Sequence, residues 1–157
     1  MNKKLKTTFI FIVGIVLVAI DQFSKNYISK NPDTFRDFSI ENLLEITFTK
    51  NYGIAFNFRI PHILLFLLST ITILFLLYLL QKNYRKNNLG GVLIITVILA
   101  GAISNLIDRI YLGYVIDFIN IPWFSIFNLA DILIVLGVGF LLKEELLKKK
   151  IIIKSTI

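Results

Sequence analysis

The chain has 157 residues, of which 56% are hydrophobic, and a formal net charge of +7. With a mean hydropathy of +0.77, it has too few polar residues to cover the surface of a water-soluble domain, so a lipid-embedded protein is expected. No cysteine is present, which excludes disulfides, thiolate metal sites, a cysteine nucleophile and lipid attachment to a cysteine of this chain.

Four apolar runs are long enough to cross a hydrocarbon core of about 30 Å, which takes roughly 20 helical residues. They lie at about 7–27, 60–80, 89–107 and 121–142. The first follows Lys3, Lys4 and Lys6 and resembles a signal peptide, but Val18-Ala19-Ile20-Asp21-Gln22 is a poor cleavage sequence. It is therefore expected to remain as an uncleaved first helix.

Orientation follows from the basic residues. Lys3, Lys4 and Lys6, then Lys82, Arg85 and Lys86, then Lys143, Lys148, Lys149, Lys150 and Lys154 all fall at one side, which the positive-inside rule makes the cytoplasm. On the other side Lys25, Lys30, Arg36, Lys50 and Arg59 are balanced by Asp33, Asp37, Glu41 and Glu45, with Arg109 alone in the third loop. Both termini are expected inside. Because the cations flank apolar runs and form no basic face interleaved with aromatics, no nucleic-acid partner is expected.

The first outer loop, 28–59, contains Leu44-Glu45-Ile46-Thr47-Phe48-Thr49-Lys50, an alternation with the period of a half-buried strand. Asn51-Tyr52-Gly53 then supplies turn chemistry. A small sheet on the outer membrane face is expected. No linker, repeat or low-complexity tract divides the chain, so residues 1–157 are read as one integral membrane domain.

Helical rise places the acids. Asp131 precedes Lys143 by twelve residues, roughly 18 Å from the inner face and about 12 Å below the outer one. Asp21 lies roughly 22 Å from Lys6. Asp108 closes the third helix. An acid at such depth costs roughly 2.5 to 3.5 kcal/mol on insertion scales and normally faces protein or a wet cavity. Taken alone, Asp21 and Asp108 are equally well read as helix-end charges, and Asp117, in the apolar stretch Tyr114 to Ile119, as a lone loop acid; Asp131, among Leu129, Ala130, Ile132, Leu133 and Ile134, admits no such reading.

Spacing groups them further. Asn105, Asp108 and Arg109 share one face of the third helix, continuing from Gly101, with Asp108 expected to orient Arg109; Asn128 and Asp131 share a face of the fourth. The only histidine, His62, follows Pro61 without a nucleophile motif and reads as a capping or interfacial residue. No His-Glu-x-x-His occurs, which excludes a zinc protease of that type, so hydrolysis would fall to carboxylates. Gly90-Gly91 and Gly137-x-Gly139 read as close helix packing, since neither follows a strand.

Five motifs in order resemble the lipoprotein signal peptidases, the signal peptidase II family: Asp21-Gln22-Phe23-Ser24-Lys25, Asn51-Tyr52-Gly53-Ile54-Ala55-Phe56, Asn105-Leu106-Ile107-Asp108-Arg109, Val115-Ile116-Asp117-Phe118, and Phe127-Asn128-Leu129-Ala130-Asp131. The resemblance implies an all-α membrane protein of four transmembrane helices with a small extracytoplasmic β-sheet that cradles substrate. It implies an aspartic endopeptidase that cleaves prolipoproteins just before a diacylglyceryl-modified cysteine, in the bacterial cytoplasmic membrane, with its site near the extracytoplasmic face. Carried over by residue, it makes Asp117 and Asp131 the catalytic dyad and gives Asn51, Gly53, Asn105, Asp108, Arg109, Asn128 and Ala130 to the substrate site. Asp21 and Lys25 match a motif with a structural role. No metal or other cofactor is implied, the partners are lipid-modified prolipoproteins and membrane lipid, and a monomer is expected. Ser104 stands where the family usually has glycine, Ile132 where serine is frequent, and the fourteen residues from Asp117 to Asp131 are a short spacing. The rival readings are a small four-helix antiporter, which would carry its acid near the membrane midplane and need no structured outer loop, and a non-catalytic assembly factor.

Overall fold

The structure is a computed structural model and describes residues 2–35, 38–41, 43–54, 58–59 and 61–155. Arg36 and Asp37 of the first loop, Ala55 and Phe56 of the second motif, and Ile60 lie outside the described residues. Four long helices and six short strands follow in order: α1 Lys3–Lys30, β1 Ser39–Ile40, β2 Leu44–Asn51, β3 Gly53–Ile54, β4 Phe58–Arg59, α2 His62–Arg85, α3 Leu89–Tyr111, β5 Val115–Ile121, β6 Ser125–Phe127 and α4 Leu129–Ser155. Three of the helices, α1, α2 and α3, are long and apolar enough to cross a membrane, with mean hydropathies of 1.9, 2.8 and 2.2 in their best windows.

Helix α3 is the hub, against which α1, α2 and α4 all pack. Its buried Ile95, Ile98 and Leu99 join Leu76 of α2 in an apolar core, completed by Ile134 and Leu141 of α4. Small residues set the distances. A side chain at Gly101 would run into the backbone of Ala130, and one at Gly137 into Ile98, so α3 and α4 meet through these two glycines. Gly139 faces open space and Gly90 meets only Asn88, so within each expected pair one glycine carries the close packing: Gly137 against Ile98, and Gly91, where a side chain would run into Asn83 of α2. Outward faces of the helices stay apolar and uncovered, with Ile15, Phe23, Ile71 and Val135 all more than 60% exposed, as hydrocarbon contact requires.

The expected strand over 44–50 is present as β2, the second strand of a four-stranded antiparallel sheet ordered β1-β2-β5-β6. Asn51, Tyr52 and Gly53 turn the chain from β2 into β3, with the Gly53 N–H donating to Asn51 Oδ1 at 2.9 Å. The sheet sits on the C-terminal end of α1, where Ile28, Phe118 and Ile119 form a second apolar core with Leu44, Ile46 and Phe48 around it.

One expectation fails. The apolar stretch from residue 121 is not the start of a fourth helix: Val115–Ile121 is strand β5, Ser125–Phe127 is β6, and α4 begins only at Leu129. Five of the seven residues of β5 are buried without alternation, because the strand is central in its sheet and covered on both sides. Buried on both faces, a strand reads as a continuous apolar run, which periodicity cannot separate from a buried helix. The Pro122-Trp123 turn, closed by Phe124 N–H on Ile121 carbonyl at 2.8 Å, marks the break. Before it, Gly113 at φ +79 follows the C-cap residue Leu112 and turns the chain from α3 into β5, a conformation open to glycine without strain.

Candidate active site

Two strands and two helix ends bring the polar residues together. Asp117 is on β5 opposite Thr49 of β2. Between Ile46 and Thr49 the register gains one residue on β2, a bulge that bends the strand beside the site. Asn51, two residues beyond Thr49 and on the same face, reaches Asp117 Oδ2 with its amide at 2.8 Å. The bond from Gly53 N–H occupies Asn51 Oδ1, so the amide N–H is the end left for Asp117.

Asp131 enters from the first turn of α4. Asn128, in the cap position, accepts the Asp131 N–H on Oδ1 at 2.9 Å, and Asp131 Oδ2 accepts the Asn128 N–H at 3.3 Å. This reciprocal pair is a capping box made from Asn and Asp. It corrects the sequence expectation that Asn128 and Asp131 share the face of a continuing helix. The side-chain amide of Asn128 also donates to Asp117 Oδ1 at 2.7 Å, so one asparagine touches both acids. The remaining oxygen, Asp131 Oδ1, accepts from Asn105 Nδ2 at 2.8 Å. Each of the four carboxylate oxygens therefore receives a neutral N–H.

Beneath this pair lies a sealed cluster. The Lys25 ammonium, 1% exposed, contacts Asp21 at 2.8 Å, Asp108 at 3.0 Å and Asn105 Oδ1 at 2.9 Å, which uses all three of its donors. Asp21 accepts from Ser104 Oγ at 2.6 Å and from the Ala130 N–H at 3.0 Å. Asp108 accepts from Gln22 Nε2 at 2.8 Å and from the Ile116 N–H at 3.2 Å. Both acids are buried, so neither is a helix-end charge at the interface. The expected Asp108–Arg109 pairing is likewise replaced: Lys25 of α1 takes Asp108, and Arg109 donates instead to the Asn105 carbonyl at 3.2 Å. Long-range pairing between helices cannot be read from i, i+1 neighbours. Through Asn105 the two clusters are linked, since Lys25 holds its oxygen and thereby aims its N–H at Asp131.

The acids line a cavity of about 470 Å³ together with Asn51, Gly53, Asn105 and Arg109. Asp108, Asn128 and Ala130 support it from behind, each buried. Its far wall is apolar, built from Phe124, Ile126 and Phe127 of the β5–β6 hairpin and Ile132, Val135 and Leu136 of α4. Val135 and Leu136 are exposed on the helix side, so the cavity is continuous with the lipid-facing surface. Asp117, on a strand outside the spanning helices, has its carboxyl pushed up to about 6 by burial, against the amide bonds from Asn51 and Asn128 and with the charge of Asp131 adding to the rise. His62, first residue of α2, places Nε2 3.0 Å from the Arg109 carbonyl, a helix-end contact that the sequence leaves undetermined.

The family model described as Signal peptidase (SPase) II matches residues 13–147. Curated relatives carrying the description lipoprotein signal peptidase include those of Haemophilus ducreyi, 36% identical over 88% of this chain and 91% of the relative, and Bartonella quintana, 40% identical over 90% and 89%. That of Streptococcus agalactiae is 33% identical over 85% and 92%. A bacterial membrane enzyme solved by the in meso method at 2.3 Å matches with a TM-score of 0.78 and 29% identity, covering 91% of this chain and 90% of its own. A second such structure, at 1.9 Å, gives 0.74 and 28%, covering 88% and 93%. With the match extending from within α1 to the later turns of α4, the chain belongs to the signal peptidase II family and is a bacterial membrane peptidase.

Proposed function

We propose that this peptidase removes the signal peptide from diacylglyceryl-modified prolipoproteins, cutting just before the lipidated cysteine, with Asp117 and Asp131 as its catalytic dyad. The observation that carries the proposal is the pair of carboxylates joined through Asn128 at the head of a cavity whose opposite wall is apolar and faces lipid. A peptide bond next to an acylated cysteine has that same division, with a polar scissile group and hydrocarbon chains alongside.

Two nearby acids that receive only neutral donors cannot both ionise cheaply. One stays protonated while the other is the base, as in aspartic proteases generally. The ionised carboxylate takes a proton from water as its oxygen attacks the scissile carbonyl, and the protonated partner donates to the carbonyl oxygen. Collapse of the tetrahedral intermediate breaks the C–N bond, and the departing amine takes a proton from the dyad. The pair titrates as a unit, so the two roles belong to the dyad. Arg109, on the cavity wall, offers its guanidinium to substrate backbone carbonyls. The chemistry uses no cofactor.

Helix α4 is the fourth span, both termini are cytoplasmic, and the site opens near the extracytoplasmic face of the cytoplasmic membrane. The basic flanks support this orientation. An antiporter is disfavoured because the acids sit on a strand and a helix first turn, where a carrier would hold its acid along an uninterrupted span. The test compares cleavage of two precursors by the purified chain, one bearing the diacylglyceryl group and one lacking it. Each buried methylene contributes about 0.8 kcal/mol of partitioning, so the unmodified precursor is expected to be cut about 100-fold more slowly or worse. Equal rates would overturn the lipid-dependent reading.

A further inference from the structure

At the end of the molecule opposite the dyad, α1 and α2 both pack on α3 and scarcely on each other, leaving a cleft of about 530 Å³ between them. Its floor is apolar, from Phe11, Leu77 and Leu80, and its rim carries Lys4, Gln81 and Tyr84. No acidic residue lines it. Lys3 closes the outer edge by donating to the Tyr84 carbonyl at 3.0 Å while its ammonium lies 4.2 Å from the Tyr84 ring centre. Lys4 is exposed beside it and has no acidic partner among the described residues.

Thr7 makes the cleft more than a groove between helices. Its hydroxyl is the one buried side-chain polar atom without a hydrogen-bond partner among the described residues. Thr70, Thr72 and Thr96 satisfy theirs on the carbonyls of Phe66, Leu68 and Val92, each four residues back. Thr7, 6% exposed and lining the cleft, makes no such bond. An unsatisfied hydroxyl in an apolar span is costly and calls for a partner. A rotation about χ1 exchanges the positions of its methyl and hydroxyl within ordinary staggered wells.

We propose that this cleft binds an anionic phospholipid of the same leaflet as the basic helix ends. The phosphate sits against Lys4, Gln81 and the Thr7 hydroxyl, and one acyl chain lies over Phe11, Leu77 and Leu80. Charge selects the lipid: Lys4 is the charged residue that lines the cleft, Lys3 lies at its edge, and Lys6, Lys82, Arg85 and Lys86 flank the same helix ends. The apolar floor favours a lipid over free phosphate, which has nothing to place there. Such a lipid would fasten α1 to α2, which otherwise meet chiefly through α3. The inference does not depend on the proposed chemistry of the dyad.

The test is native mass spectrometry of the delipidated full chain, titrated with dioleoylphosphatidylglycerol or dioleoylphosphatidylcholine. The wild type is expected to retain the anionic lipid at least about fivefold more tightly, the size of one lysine contact at a membrane surface. Lys4→Gln is expected to remove most of that preference. Lys86→Gln, which deletes the same charge at the same end outside the cleft, should leave it intact. Thr8→Trp, which fills the cleft while keeping Lys4, is expected to abolish retention of the anionic lipid and keeps the proposal testable if Lys4→Gln does not fold. Equal retention of both lipids, equal losses in Lys4→Gln and Lys86→Gln, or undiminished retention in Thr8→Trp would each overturn it.

Discussion

Two groups of acids lie within one hydrogen-bond relay of each other, and they are built differently. Asp21 and Asp108 are sealed, share contact with the Lys25 Nζ, and are further held by Ser104, Gln22 and two backbone N–H groups. Asp117 and Asp131 line a cavity and receive neutral donors from Asn51, Asn105 and Asn128. A carboxylate fixed on an ammonium and on backbone N–H groups can brace helices. One held only by amides can exchange a proton at modest cost, which is what hydrolysis asks of it.

Breaking each side of this comparison gives different readouts. The largest effect is expected on the cavity side: Asp117→Asn and Asp131→Asn should each lower precursor cleavage by at least about 10³-fold while the protein still inserts and folds. The measurement is initial rates on lipid-modified precursor. On the sealed side, Lys25→Met keeps the volume and leaves two buried acids without a cation, and it should cost about 3 to 5 kcal/mol of stability. Equilibrium unfolding in a denaturing detergent checks this, and a change below about 0.5 kcal/mol, typical of surface sites, would deny the cluster its bracing role.

The Asp117 carboxyl supplies a smaller, pH-dependent effect. Its value rises from 3.8 to about 6 on folding, so the unfolded chain ionises first as pH rises. Stability is therefore fully present below about 4 and is lost through about 6, by up to about 3 kcal/mol. Unfolding followed by the single tryptophan, Trp123, between pH 4 and 8 should show this component in the wild type and not in Asp117→Asn. Identical pH dependence in the two would contradict it. Smallest is Arg109→Lys, which keeps charge but loses the planar fork, and a loss of about 10-fold to 100-fold in catalytic efficiency at unchanged stability is expected. Steady-state kinetics with Arg109→Ala alongside tests that role.

Much of this arrangement was legible in the residues. Long apolar runs ending in lysines announce helices, and the alternation from Leu44 to Lys50 announces β2, whose residues 44–49 are all half-buried and so accommodate polar side chains between apolar ones. The motifs picked out the residues that the structure gathers: Asn51, Asn105, Asp117, Asn128 and Asp131 meet in one hydrogen-bonded group. What could not be read was β5, whose burial on both faces erases the period of a strand, and with it the start of α4 at Leu129. Partner choice was also hidden. Asp108 beside Arg109 looks like a pair in one dimension, yet Lys25, 83 positions away, holds it in three. Ser104, which looked like a departure, hydrogen-bonds Asp21 and accepts from Gln22, so its hydroxyl joins the sealed cluster. Its pairing needed the helices to be placed first. For Ile132 the structure shows only a place in the cavity's apolar wall.

The central claim is that Asp117 and Asp131 act as one unit, and a double-mutant cycle tests it most directly. Cleavage of lipid-modified precursor is measured for Asp117→Asn, Asp131→Asn and the double variant, each purified and shown to be folded. Groups that share one chemical step are non-additive, so the double variant should be scarcely slower than either single one. Substantial turnover in either single variant, or losses that multiply in the double, would contradict the assignment of the dyad.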